Sequence, residues 1–251
     1  MNPTIPPPGP ADVGIVSALS IEIAPFLAHL ERVRKYRGAR HTVIEGELGD
    51  RLVVVIVTGP GREAARRGAQ ILIDGHKPSW LVSPGFAGAL ANDLKRGDLV
   101  LPNEIVTEEG GRIAIDIRVT DSGPVPGPRL REGRLITVDR IIRTSRDKAE
   151  LQERFDADIV DMETFAVAEL CASRLVRFLS VRIVSDDAKK DLPAEVLTVL
   201  GQSGGYRVGA AMGAIWRRPS SFLDLLQLRE QANDAARRLA RFLLPVVKEL
   251  D

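Results

Sequence analysis

From Arg134 to Ser185 the chain alternates short apolar runs with segments of helical composition. RLITVD, TSRDKAELQERF, ADIVD, TFAVAELCASRL and FLSVRIVS follow one another with few residues between them. Val- and Ile-rich runs of this length read as strands buried on both faces, and the intervening helices carry the chain back across a sheet. Helices layered on a parallel or mixed sheet satisfy that order. The predicted fold is therefore α/β, a three-layer α/β/α sandwich with a central mixed, largely parallel sheet. Upstream, DVGIVSA reads as a strand, and SIEIAPFLAHLERVRKY as a helix starting at Leu19-Ser20. HTVIEGELG and RLVVVIVTG read as a hairpin about Gly49-Asp50, and GREAARRGAQILIDGH as a helix. SWLVSPG, GDLVLPNEIVTEEG and RIAIDIRVTD supply further strands, and the Pro- and Gly-rich SGPVPGPRLREG is expected to be a mobile lid.

With 251 residues, 44% of them hydrophobic, the chain can bury one large core. A single domain over 13–251 is expected, with a flexible proline-rich lead-in at 1–12 and a helical extension from about residue 190. The lead-in MNPTIPPPGPADV lacks the basic and apolar regions of a signal peptide. LVVVIV is far shorter than the roughly 20 apolar residues of a spanning helix, so no stable membrane insertion is expected. A net charge of +1 gives no global field to recruit nucleic acid. The single cysteine, Cys171, excludes an internal disulfide framework and suits a reducing, cytoplasmic compartment. Inside a helix among apolar neighbours, it reads as an inert core thiol.

Three carboxylates stand where strands end. Glu22 lies just past the first strand, Glu163 past ADIVD, and Asp186 at the end of SVRIVS. Ligands in open α/β sheets gather beyond the carboxyl ends of strands, so the three are expected in one cleft. Each has a plainer reading. Glu163 and Glu22 are also ordinary first-turn acids that complement a helix dipole, and Ser185 with Asp186 is also an ordinary cap.

VGIVSALSIEIAPFL, SPGFAGALANDLKRGDLVLP, DIVDMETFAVAELC and SVRIVSDDA together resemble the nucleoside phosphorylase superfamily, nearest its methylthioadenosine/S-adenosylhomocysteine nucleosidase-like members. The resemblance runs from Val13 to Asp187 and implies a phosphorylase/hydrolase-like fold that cleaves a purine nucleoside and releases adenine. It implies that Glu163 grips the ribose hydroxyls with Met162 against the sugar, and that Asp186 protonates N7 of the departing purine with Ser185 orienting it. It also implies that Arg182 supports the site and that Glu22 activates water. Phosphorolysis is the alternative: Gly59, Gly61 and Arg62 in TGPGREAARRG have the parts of an anion cradle, and inorganic phosphate would then be a co-substrate. Phe86 replaces the polar residue of the family's GSAGG block, and Ile141 stands near the position of an aromatic that stacks on the base, which leaves the purine contacts open. The resemblance further suggests a homodimer.

The tail, from LPAEVL through IWRRPSSFLDLLQLREQ, is similar to that of hopanoid-associated phosphorylase-like proteins. This implies a large apolar 5′ group on the adenosine, as in adenosylhopane. Phe222, Leu223, Leu225 and Leu226 would line an entrance or touch a membrane surface, or simply pack as an amphipathic helix does. GPGREA fits a dinucleotide motif, but no acid ends the next strand. His29, His41 and His76 are scattered, so no metal or redox cofactor is expected. A nucleoside-binding protein without turnover is the rival from outside the enzymes.

Overall fold

A computed structural model describes residues 10–37, 41–116, 129–192 and 220–250, with side chains in the last segment described from Glu230 onward. The expected lid and the segment joining residue 192 to the last helix lie outside the described residues, except for the stretch from Arg129 to Gly133, which from Leu130 onward is strand. The side chains of Phe222, Leu223, Leu225 and Leu226 lie outside them too.

Strand β1 (Val13–Ser17) runs parallel to β4 (Arg51–Val57) on one side and β5 (Trp80–Ala89) on the other. Its alternation sorts the layers. Val13 and Ile15, with Val53 and Val55, pack under α1 (Ser20–Leu27) and α5 (Ser220–Glu249), where Ile23, Phe26, Leu239, Leu243 and Val247 complete the core. Val16, Val54 and Ile56 face the opposite way, onto Ala65, Ala69 and Leu72 of α2 (Arg62–His76) and Val167 and Leu170 of α4 (Thr164–Arg174). Cys171 lies buried in this second layer, and burial pushes its thiol up to about 12. Its burial fits the core position expected of it.

At the other end the sandwich gives way to a closed sheet. β10 (Arg177–Asp186) pairs in parallel with β5 and, by its other edge, antiparallel with β6 (Leu99–Thr107). β6 lies parallel to β8 (Leu130–Thr137), and β8 to β9 (Ile159–Asp161). β9 then returns antiparallel to β5, so five strands close into a barrel-like ring. The expectation of an open three-layer sandwich is corrected here. Long twisted strands bring sheet edges together, and closure leaves β10 no unpaired edge. Among the described strands parallel and antiparallel pairings are equal in number, but the parallel ones are longer, so the sheet is mixed with more of its paired residues in parallel register. A short β7 (Arg112–Ala114) borders β6, and α3 (Ser145–Phe155) covers the outside of β8 and β9 through Leu151.

Two local expectations also change. The predicted first helix stops at Leu27, and residues Glu31–Arg37 form edge strand β2 on β3 (Thr42–Leu48). ERVRKYR is charged at most positions, the composition of an edge strand that resists further pairing. The turn at Gly49, with φ of 67°, joins β3 to β4 as expected. The lead-in ends earlier than expected, since Ala11 donates its N–H to His76 O and Asp12 Oδ2 accepts from Leu52 N.

Candidate active site

Glu22 occupies the third position of α1, and its Oε2 reaches back to accept the N–H of the N-cap residue Leu19. The plain reading is thus half right, because Glu22 does cap its helix. It is nevertheless only 3% exposed. Oε2 also accepts from Ser17 Oγ at 2.9 Å, and Oε1 accepts from Phe86 N at 2.9 Å. Burial raises the carboxyl above its ordinary range, while the Phe86 and Leu19 N–H groups, the Arg182 charge and the Ser17 hydroxyl pull the other way. Phe86 therefore serves the site through its backbone, and its half-buried ring packs against the core.

Glu163 precedes α4 but makes no capping bond to it. Asp161 does that work, accepting the N–H and the hydroxyl of Thr164. The Glu163 carboxylate instead accepts from Gly61 N at 2.7 Å and Met162 N at 3.2 Å. Burial, then the charge of Asp161, push its carboxyl up to about 8. β9 runs antiparallel to β5, so the rule of converging carboxyl ends does not account for the placement of Glu163. It enters because β9 is three residues long and pairs only with the carboxyl end of β5, at Gly88 and Ala89.

Arg182 binds these groups into one network. It is 2% exposed, and its Nη2 lies 2.9 Å from Asp161 Oδ2 and donates to Thr164 Oγ1 at 2.6 Å and Ser83 Oγ at 3.0 Å. Thr137 Oγ1 completes the cluster by donating to Asp161 Oδ1 at 2.7 Å. Glycine makes room for the network on β5. A methyl group at Gly85 would collide with the Arg182 guanidinium and stand 3.1 Å from Glu22 Oε1.

Three residues further along β5, roughly 10 Å of strand rise, Gly88 faces the Asp186 carboxylate. Ser185 Oγ lies within hydrogen-bond reach of both Asp186 Oδ1, at 2.6 Å, and Ala87 O, at 3.2 Å. Asp186 Oδ2 accepts from the ammonium of Lys148 at 2.5 Å. The neighbour of this acid is thus a buried cation. Lys148 was not singled out from the sequence. The signal lies in α3, where Lys148, Leu151 and Phe155 recur at i, i+3 and i+7 on the inward face.

The anion cradle does not form from the residues expected. Gly59 N donates to Ala18 O, Gly61 N to Glu163, and Arg62 contacts Glu109 and Asp139. Met162 is half-buried beside Glu163, and Ile141 is half-buried in the connection from β8 to α3. A cleft of about 230 Å³ opens on the α3 side of Asp186, lined by Leu90, Asn92, Ser145, Gln152 and Lys189 among others. Glu22 and Glu163 do not line it, so we do not take it for the catalytic centre.

The raised Glu163 carboxyl has a consequence for stability. Between the ordinary 4.5 and about 8 the folded protein keeps a proton that the unfolded chain has lost, so its contribution to stability falls as pH rises through that window. Glu163→Gln is expected to match the wild type at acid pH and to exceed it at about pH 8 by on the order of 2 kcal/mol. Melting curves across pH check this, and parallel curves for the two proteins would refute it.

The family profile of the Phosphorylase superfamily matches residues 12–126 and 113–206. A 5′-methylthioadenosine/S-adenosylhomocysteine nucleosidase of Actinobacillus succinogenes is 26% identical over 195 residues, which is 69% of this chain and 85% of that protein. The solved nucleosidase of the same description from Campylobacter jejuni has a TM-score of 0.69 at 22% identity, covering 96% of this chain and 100% of that one. The S. pneumoniae nucleosidase, solved with a transition-state inhibitor, has a TM-score of 0.70 at 19% identity, covering 95% and 99%. At these identities the two structures speak for a shared fold.

Proposed function

Because the chain belongs to the phosphorylase superfamily, we propose that it hydrolyses the N-glycosidic bond of a purine nucleoside modified at the 5′ carbon, releasing adenine. The observation that carries the choice of water is the environment of Glu22: a buried carboxylate with a raised proton affinity, next to a turn whose expected anion donors point inward. A phosphate there would lack the Gly59, Gly61 and Arg62 donors it needs, since these are engaged by Ala18, Glu163, Glu109 and Asp139. A water needs only a base.

In this reading Glu163 accepts hydrogen bonds from the two hydroxyls of the ribose diol, which suits a group with two acceptor oxygens. Asp186 gives its proton to N7, the C1′–N9 bond breaks with its electron pair passing to the purine, and water adds to C1′ as Glu22 takes its proton. A base whose proton affinity is raised toward neutrality is the more effective one. The names of the relatives support an adenosine bearing a 5′ thioether as the substrate class. No metal or redox group has a part in these steps, and we assign the dimeric state suggested by the resemblance to the same proposal.

Adenine release from 5′-methylthioadenosine, S-adenosylhomocysteine and adenosine, followed by chromatography, is expected at the same rate with and without phosphate. Glu22→Gln is expected to lower it by about 10²–10⁴-fold. Release that requires phosphate would overturn hydrolysis.

A further inference from the structure

We infer that Lys148 is a positioning residue of the reaction, acting through Asp186: its ammonium fixes the carboxyl and stabilises the anion that remains after the proton has gone to the purine. This rests on the nucleosidase reading above. The Lys148 side chain is 0% exposed, yet it is not a stray charge. Its Nζ donates to Asp186 Oδ2 at 2.5 Å, Asp187 O at 2.7 Å and Lys190 O at 3.0 Å, so all three N–H bonds of the ammonium have an acceptor. The same three bonds tie α3 to the last residue of β10 and to the segment that follows it. Packing alone does not require a cation at this position, since a buried ion pair commonly adds little stability over apolar side chains of similar volume. Its specific effect is electrostatic, and it falls on one oxygen of the proposed proton donor.

With Oδ2 committed to Lys148, Oδ1 is the oxygen left to carry the proton. The Ser185 hydroxyl reaches both Oδ1 and Ala87 O, but it has one hydrogen to give. It donates to Ala87 O while Oδ1 is protonated, and turns to Oδ1 once that proton has passed to N7 and the C1′–N9 electron pair to the purine. The carboxylate then holds two donors, one of them charged, and charge-assisted bonds are the stronger kind. Lys148 therefore binds the state after transfer better than the state before it, which is the condition for accelerating the step.

The test is the pH dependence of adenine release from 5′-methylthioadenosine by wild type, Lys148→Met and Lys148→Arg, with melting temperatures of all three. Lys148→Met is expected to lower kcat by roughly 10–100-fold and to move the alkaline limb of the profile upward by about 1–3 pH units. Lys148→Arg keeps the charge and is expected to restore the limb even where its bulk lowers the rate. A Lys148→Met profile that is merely scaled down, with its limb unmoved, overturns the inference while leaving hydrolysis intact. No release by the wild type from any nucleoside overturns the nucleosidase reading and the catalytic role together. The pair itself is read separately, from the lysine ammonium signal in a ¹H–¹⁵N spectrum. That signal is expected to shift in Asp186→Asn, and an unmoved one removes the pair whether or not the Met variant folds.

Discussion

Asp186→Asn is expected to lower adenine release by about 10²–10⁴-fold while the nucleoside still binds. The amide keeps the shape and an acceptor for Lys148, but it has no acidic proton for N7. It also leaves the ammonium without a counter-charge in a site where Lys148 is wholly buried. Removing one partner of a buried pair typically costs about 3–5 kcal/mol, so the variant should also melt earlier. Asp186→Asn combined with Lys148→Met separates the two losses: stability returns because the stranded charge is gone, and activity does not. Chromatography of adenine, calorimetric binding and melting curves read the three quantities. Substantial turnover by Asp186→Asn would mean that another group delivers the proton. Equal binding with no turnover by either the variant or the wild type would mark the protein as a nucleoside-binding protein.

The reach of the sequence is clearest around these same residues. Glu22, Glu163, Ser185 and Asp186 were legible because each sits at a strand-to-helix or strand-to-loop boundary, where a buried apolar run gives way to an acid. Arg182 was legible through the family resemblance, though not its partners, since Asp161 and Thr164 come from one distant part of the chain and Ser83 from another. The closed ring escaped detection because alternation reveals how many strands a helix separates, not which strand each will pair with. The pairing of β10 with β6 joins residues about eighty positions apart with nothing in either strand to announce it. The donors of TGPGR looked available for the same reason. Only the fold turns Gly61 toward Glu163 and gives Arg62 to Glu109 and Asp139.

Arg182→Met should destabilise the fold by about 3–5 kcal/mol, which for a chain of this size lowers the melting temperature by about 6–20 °C. Asp161 is the reason, because its side chain is 1% exposed and would keep only the hydroxyl and N–H groups of Thr137 and Thr164. Asp161→Leu added to Arg182→Met should recover much of the loss by removing the orphaned charge. The chemistry should not recover with it. Arg182 is a cation that lowers the proton affinity of both Glu22 and Glu163, and without it both carboxyls hold their protons to still higher pH. The folded state then carries extra protons over a wider window above the ordinary 4.5, so stability continues to fall with rising pH where the wild type has levelled off. The acidic limb of the rate profile, which requires Glu22 as a free base, should move upward in the same variant. An acidic limb unmoved in the double variant would show that Arg182 holds the site together only mechanically; a moved limb with restored melting would show that the cation keeps two buried acids ready to ionise.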